Sequence, residues 1–98
     1  MLKNFRTYQL AKVFYTECEK LKLPYYLRSQ LSRSSSSVVL NLAEGCSRSS
    51  KKDRRRFYEI ALGSFLESKS ILEITSSSVP QIMNHLGASL FKLYMALK

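Results

Sequence analysis

The stretch that decides the fold is SRSSSSVVLNLAEGCSRSSKKDRRRF, residues 32–57, which can be read as a serine-rich linker or as two helices meeting at a turn. Apolar or small residues recur every three or four positions across it, at Leu27, Leu31, Ser34, Val38 and Leu42. This helical period passes through the serine run without a break. Serine is a mediocre helix former, but a linker would not be expected to keep the period. The pattern therefore favours a helix over residues 25–45 rather than a loop.

The residues after this helix predict a sharp turn. Gly45 stands where a residue in the left-handed conformation commonly ends a helix. Ser50 and Asp53 then have the spacing of a helix N-terminus, in which a serine caps the helix and an acid three residues later reaches back. We expect the second helix to end at Gly45 and the third to begin at Lys51.

Three other segments also have a helical period. Residues 5–22 form the first, and Pro24 ends it because proline disfavours a helical conformation in the residue before it. Residues 51–76 form the third, and residues 81–97 form the fourth, after an interruption at SSSVP, residues 76–80. The expected core face of the third helix comprises Phe57, Ile60, Ala61, Ser64, Phe65, Ser68, Ile71, Leu72 and Thr75. The chain is therefore expected to be one all-α domain, residues 1–98, folded as an antiparallel up-and-down four-helix bundle.

Composition narrows the class of protein. A hydrophobic fraction of 45% in 98 residues is too high for a wholly disordered chain. No run approaches the roughly 20 apolar residues that cross a bilayer, and the first ten residues lack a secretory signal pattern, so we expect a cytoplasmic protein without membrane association. Cys18 and Cys46 lack paired spacing and suggest neither a disulfide framework nor a zinc site; we expect Cys18 in the core.

The sequence offers few parts for catalysis. His85 is the only histidine, and no cysteine or acid lies at a helical spacing that would bring it alongside. No nucleotide-binding or metal-ligand motif is present. We therefore expect a protein that is not an enzyme and that uses no metal and no cofactor, with His85 partly exposed on the fourth helix.

Positive charge is the strongest functional signal. The net charge is +9, and eight cations against Glu44 and Asp53 give +6 between Arg28 and Arg56. Arginines at the start of a helix oppose its macrodipole, and a bound phosphate would offset this cost. The alternative is a solvated basic turn that only aids solubility; we favour anion binding. The expected nucleic-acid contacts are Arg28, Arg33, Arg48, Lys51, Lys52, Arg54 and Arg55.

The kind of nucleic-acid contact follows from the scarcity of aromatics near these cations. We expect Tyr58 to be the only exposed aromatic interleaved with the arginines, so base stacking is poorly supported. Contacts would be mainly to phosphates of RNA or DNA, strongly salt dependent and weakly sequence specific.

Leu62 and Leu66 form a second apolar pair, roughly 140 to 180° around the third helix from Phe57. One core cannot easily bury both sides. A wide core face, two ordinary exposed leucines and an oligomer interface all remain open from the pattern.

The segment from Leu27 to Glu67 resembles the signature of a family of small bacterial four-helix bundle proteins. That family was first noted in open reading frames within 23S ribosomal RNA intervening sequences. The residues that carry the resemblance are Asn41, Leu42, Ala43, Glu44, Gly45, Ser47, Arg48, Arg56, Phe57, Ile60, Ala61, Leu62, Gly63, Ser64 and Glu67.

The resemblance implies a ring-like homopentamer related to the accessory variability determinant of diversity-generating retroelements. Those relatives partner a reverse transcriptase and bind nucleic acid through basic surfaces. Carried onto this sequence, the motif implies that Asn41, Glu44 and Arg56, with Arg48, form a structural polar network at the turn. The leading hypothesis is a non-catalytic, oligomeric nucleic-acid-binding accessory protein. In one version of this hypothesis it is an adaptor for a reverse transcriptase. The alternative is a protein-interaction scaffold that does not bind nucleic acid directly.

Overall fold

The computed structural model describes residues 5–77 and 80–97, which contain four α-helices and no strand. The helices are α1, Arg6–Glu19; α2, Tyr25–Ser47; α3, Lys51–Ile74; and α4, Ile82–Ala96. All their bounds fall within three residues of those expected from the sequence. The predicted all-α, four-helix bundle is confirmed. Within the described ranges, none of these helices combines the length and the apolar character needed to cross a lipid bilayer.

The serine run is helical throughout, as predicted. Ser34 and Ser35 are fully buried. Ser34 Oγ lies 2.7 Å from Ser68 Oγ, and Ser37 Oγ lies 2.7 Å from Ser64 Oγ, so α2 and α3 meet through paired hydroxyls. Buried polar atoms need such partners. The small side chains allow close helix approach, and the pairing satisfies the polar atoms that this approach buries.

The core draws apolar residues from all four helices. The Phe14 and Phe65 rings join α1 to α3 at 5.6 Å between centroids. The α3/α4 contact is also close, since a Cβ added to Gly87 would lie 3.1 Å from the Phe65 ring. The buried apolar residues are Ala11, Phe14, Cys18, Leu31, Val38, Leu42, Tyr58, Ala61, Phe65, Ile71, Leu72, Met83, Leu86 and Leu90.

Two details of the predicted α3 core face are wrong. Tyr58 is only 5% exposed, whereas Ile60 is 42% exposed. The face is centred on Phe65 and Leu72, and Tyr58 lies seven residues before Phe65, almost directly above it on the helix. This places Ile60 at the edge of the face, in contact with solvent.

The predicted role of Gly45 is also wrong. α2 continues two residues past it to Ser47, and no described glycine has a positive φ. Gly45 is needed for packing instead. A Cβ at this position would lie 2.7 Å from Tyr58 Cε1, which is too close for a real contact, and 3.1 Å from Phe57 Cβ, which is a tight contact. Glycine therefore lets the end of α2 approach the start of α3.

α3 ends in a turn of backbone hydrogen bonds. Ser76 adopts the left-handed conformation, with φ 52°. The Ser76 amide donates to Glu73 O at 3.2 Å, and the Ser77 amide donates to Leu72 O at 3.1 Å. This is the Schellman arrangement, here with serine where glycine is usual. The sequence placed the break at residues 76–80; Ser78 and Val79 lie outside the described residues.

Candidate nucleic-acid interface

Six cations lie within nine residues where α2 meets α3, and we call this set the basic corner: Arg48, Lys51, Lys52, Arg54, Arg55 and Arg56. The Arg48 amide donates to Gly45 O at 3.2 Å and closes the end of α2. Ser50 Oγ accepts from the Asp53 amide at 3.1 Å and caps α3, which confirms the predicted serine cap. These two local contacts fix the turn that brings the cations together.

The ring of Phe57 holds two of the guanidinium groups. The guanidinium carbon of Arg48 lies 4.9 Å from the ring centroid, and that of Arg56 lies 4.7 Å from it. Such cation–π contacts are favourable at these distances. Arg48 also forms an ion pair with Glu44. Phe57 therefore contacts two arginines at once, and its uncharged ring neutralises neither.

Arg54 and Arg55 are positioned by uncharged partners. Arg54 Nη2 donates to the carbonyl oxygen of Arg48 at 2.8 Å. The Arg55 guanidinium lies 5.6 Å from the Tyr94 ring centroid, and the Tyr94 hydroxyl donates to Glu59 at 3.0 Å. A carbonyl and an aromatic ring orient these side chains while leaving their full charge available.

Five of the six corner cations have no carboxylate partner. Within residues 5–77 and 80–97, no acidic oxygen lies within 4.0 Å of the charged nitrogens of Lys51, Lys52, Arg54, Arg55 or Arg56. A groove of about 300 Å³ runs beside them, lined by Lys52, Asp53, Arg55, Arg56 and Glu59. The first backbone N–H groups of α3 add partial positive charge at the same place. The basic corner is thus a surface on which positive charge is concentrated and largely outside ion pairs.

A comparison with protein families decides where this bundle belongs. The sequence model of the family described as 23S rRNA-intervening sequence protein matches residues 3–80. The chain belongs to this family. No curated protein and no solved structure matches the chain. The region that matches the 23S rRNA-intervening sequence protein family contains α1, α2 and α3 and ends before α4. The family resemblance predicted from the sequence is therefore confirmed, whereas the link to retroelement determinants stays a prediction.

Two of the predicted nucleic-acid contacts lie away from the basic corner of this 23S rRNA-intervening sequence protein. Arg28 Nη1 donates to Cys18 O at 2.9 Å and to Leu21 O at 2.8 Å, and Arg28 Nη2 lies 3.4 Å from a Glu19 carboxylate oxygen. Arg33 forms an ion pair with Glu67. Both side chains are thus paired away from the corner, and their contact with nucleic acid stays a prediction. Arg33 stands twelve residues before Gly45, about 18 Å along the helix at 1.5 Å per residue.

The three residues expected to form one polar network make separate contacts. Asn41 Nδ2 donates to Ser37 O at 2.9 Å and to Ser37 Oγ at 3.0 Å, within α2. Glu44 pairs with Arg48, and Arg56 packs on Phe57. Only Glu44 and Arg56 are linked, indirectly, through Arg48 and the Phe57 ring. The helical spacing indicated which residues share a face, but it gave no information on the Phe57 ring that both arginines contact.

Leu62 and Leu66 have different environments in the structure. Leu62 is half-buried and packs against the core, whereas Leu66 is 51% exposed. Leu62 therefore has a role inside the subunit. Leu66 stays a candidate for the predicted oligomer interface.

The remaining chemically notable residues are separated from one another. Cys18 is fully buried, as expected, and burial raises the pKa of its thiol to about 12 despite the opposing charge of Arg28. Cys46 is half-buried near Tyr58, whose pKa burial also raises. His85 is exposed on α4. In the part of the chain that the structure describes, no group of three or more His, Cys, Asp or Glu side chains could hold a metal ion.

Two functional side chains were missed from the sequence. Phe57 was expected in the core, but it supports Arg48 and Arg56, and Tyr94 supports Arg55. A signal for Phe57 existed, since it directly follows a run of arginines. None existed for Tyr94, which lies 39 residues after Arg55 and reaches it only through the packing of α4 on α3.

Proposed function

We propose that this protein is a non-catalytic, cytoplasmic accessory protein that binds the phosphate backbone of RNA or DNA through the basic corner. The observation that carries the proposal is the set of five cations, from Lys51 to Arg56, without a carboxylate partner in the described residues. Ion pairs neutralise Arg28, Arg33 and Arg48, but not these five. Phosphate oxygens are suitable partners for such groups.

The fixed positions of three guanidinium groups favour a role in anion binding over a role in solubility alone. A flexible cation loses side-chain entropy when it is fixed on a ligand. Arg54, Arg55 and Arg56 are already placed by a carbonyl oxygen and two rings. Binding therefore requires less ordering than at a surface of free lysines, and a simple solubilising turn would not need this placement.

The proposal includes an antiparallel bundle and a homo-oligomer. The pairs Ser34–Ser68 and Ser37–Ser64 support opposite directions for α2 and α3, because the partner number falls as the number in α2 rises. A ring-like homopentamer and an adaptor role for a reverse transcriptase are parts of the proposal that rest on the resemblance. Five copies of a +9 chain would present about +45 to a polyanion.

The test is a titration of fluorescently labelled RNA and duplex DNA at about 50 and about 200 mM salt. Four phosphate contacts on duplex DNA predict about 100-fold weaker binding at the higher salt. The variant is Lys51→Glu with Lys52→Glu, because both side chains are exposed and form no described ion pair. It should weaken binding to both nucleic acids and make the salt dependence shallower.

The matched control is Lys22→Glu with Lys69→Glu. Both lysines are exposed, lie outside the basic corner and produce the same change in net charge. The control should lose much less affinity. Equal losses in the two variants would show that only total charge matters, and an absence of binding by the parent would end the proposal.

A protein-interaction scaffold is the second candidate function. Leu40, Leu66, Ile74 and Phe91 are large apolar side chains with more than half of their surface exposed. Leu66→Glu should lower the molar mass measured by light scattering if Leu66 contributes to a subunit contact. A parent and variant of identical mass would remove Leu66 from the interface.

A further inference from the structure

A second cationic groove lies between α1 and α4. It has a volume of about 380 Å³ and is lined by Arg6, Asn84, His85, Ala88, Ser89 and Lys92. The hydroxyl groups of Thr7 and Ser89 form a hydrogen bond that joins the two helices at this level. Thr7 is buried, so the hydrogen bond lies inside the contact between α1 and α4, the two helices that line the groove. The groove is therefore held by the packing of the bundle. We call it the α1/α4 groove.

The cations of this groove face no acid. α4 contains no Asp or Glu, and the first acid of α1 is Glu17, eleven residues after Arg6. Over the described ranges, neither Arg6 nor Lys92 has a carboxylate oxygen within 4.0 Å. By contrast, the α1/α2 contact contains the ion pair of Arg28 with Glu19, and the α2/α3 contact contains the ion pair of Arg33 with Glu67. The charge in the α1/α4 groove is left uncompensated.

The polar groups of the groove suit a phosphodiester. Arg6 and Lys92 supply charged donors, and Asn84 and His85 supply further N–H donors at the same walls. Phosphate oxygens are the usual partners of this combination in nucleic-acid complexes. Among the described residues that line the groove, none has a carboxylate side chain, which would repel a phosphate.

The groove and the basic corner lie on different sides of α4. Tyr94 faces α3, where it meets Arg55 and Glu59. Ser89 faces α1, where it meets Thr7. Lys92 lies two residues before Tyr94, about 200° around the helix, and therefore belongs to the α1 side. Phe91, which is exposed, lies between the two surfaces.

We propose that the α1/α4 groove is a second phosphate-binding site for the same nucleic acid, on a face separate from the basic corner. This proposal rests on the proposed function, since it concerns the same ligand. Each subunit then holds nucleic acid at two places separated by α4. Two arrangements fit this proposal. Either one nucleic-acid strand passes around α4 from one site to the other, or two separate segments of nucleic acid bind to one subunit.

The test compares two charge-matched double variants with a labelled single-stranded RNA of about 20 nucleotides. Arg6→Ser with Lys92→Ser removes both groove cations, and Lys22→Ser with Lys69→Ser removes two exposed lysines elsewhere. The groove variant should bind about 10-fold more weakly near 0.1 M salt. Two lost contacts on single-stranded RNA should also make the slope of log K against log salt shallower by about 1.4. The control variant should keep the parent slope.

A measurement on the unaltered protein makes the result independent of folding in the variants. In two-dimensional ¹H–¹⁵N spectra with the same RNA, amide signals of residues 84–92 should shift together with those of residues 48–56. Shifts confined to residues 48–56 would overturn the proposal. So would a groove variant that binds with the control's affinity and slope while Lys51→Glu with Lys52→Glu weakens binding; the proposed function would then stand without the second site. If the parent protein binds no RNA at either salt, both proposals fail.

Discussion

Gly45 and Tyr58 are in contact so close that no side chain fits between them: a Cβ on Gly45 would lie 2.7 Å from Tyr58 Cε1 and 2.9 Å from Tyr58 Cδ1. The ring is only 5% exposed. This contact sets the distance between the end of α2 and the start of α3, the two segments that carry the basic corner.

Gly45→Ala should destabilise the protein by about 1–3 kcal/mol, the usual cost of adding a methyl group to a filled site. Gly63→Ala is the matched control, because a Cβ there meets nothing within 4 Å. Gly63 lies inside α3, so alanine should stabilise the protein by roughly 0.5–1 kcal/mol. Urea unfolding of the two variants measures the difference. A stabilised Gly45→Ala would contradict the close packing described here.

Arg28→Gln should lower stability by about 1–3 kcal/mol, because the Arg28 guanidinium satisfies two carbonyl groups at the end of α1. Arg33→Gln removes the same charge from a more exposed ion pair and should cost about 0–1 kcal/mol. Thermal or urea unfolding distinguishes them. Neither variant should change the salt dependence of RNA binding, since both side chains lie away from the basic corner. A loss of binding by Arg28→Gln at unchanged stability would reverse this interpretation.

Ser76→Gly should stabilise the protein by about 0.5–1 kcal/mol. Ser76 has φ 52°, where L-residues with a side chain are strained and glycine is not. Ser70→Gly is the control for the same exchange at an exposed position inside α3, and it should destabilise instead. The measurement is the midpoint of urea unfolding. Two variants that shift in the same direction would show that the left-handed turn is not formed in solution.

Stability should fall as the pH rises above about 9. Burial raises the pKa of the Cys18 thiol from 9.0 to about 12, so the unfolded chain loses this proton before the folded protein does. The folded state then holds more protons, and the free energy of unfolding declines by roughly 1 kcal/mol per pH unit above pH 9. Tyr58, whose pKa burial also raises, acts in the same direction from about pH 10.

The measurement for this pH dependence is urea unfolding at several pH values from about 8 to about 10.5. Cys18→Ala lacks the thiol and should show a shallower decline than the parent, whatever its stability at neutral pH. Parallel curves would mean that the thiol does not remain protonated in the folded protein.

Most of the fold could be predicted because it depends on periodicity. The spacing of Leu31, Ser34 and Val38 identified a helix through four consecutive serines, and the hydroxyl pairs explain why serine is tolerated there. The role of Gly45 could not be predicted, because a left-handed turn and a close contact both favour glycine. The choice between them depends on the position of Tyr58, which is set by packing between helices.

The candidate site was predictable only in part. Six cations in a short turn are visible in the sequence, and a serine cap placed five of them on one helix. The Arg28 side chain donates to carbonyl groups at the end of α1. This contact could not be predicted, because it depends on how α1 packs against α2. The α1/α4 groove joins Arg6 to Lys92 across most of the chain length, and no local pattern links residues so far apart.

The position of Phe57 beneath Arg48 and Arg56 has one more consequence. A residue that touches no ligand can control affinity by holding two guanidinium groups, each within 5 Å of its ring. Replacement of this ring by leucine would leave the number of charges unchanged and remove the cation–π contact that holds each arginine. Affinity for an anion would then fall while the formal charge of the protein stayed the same.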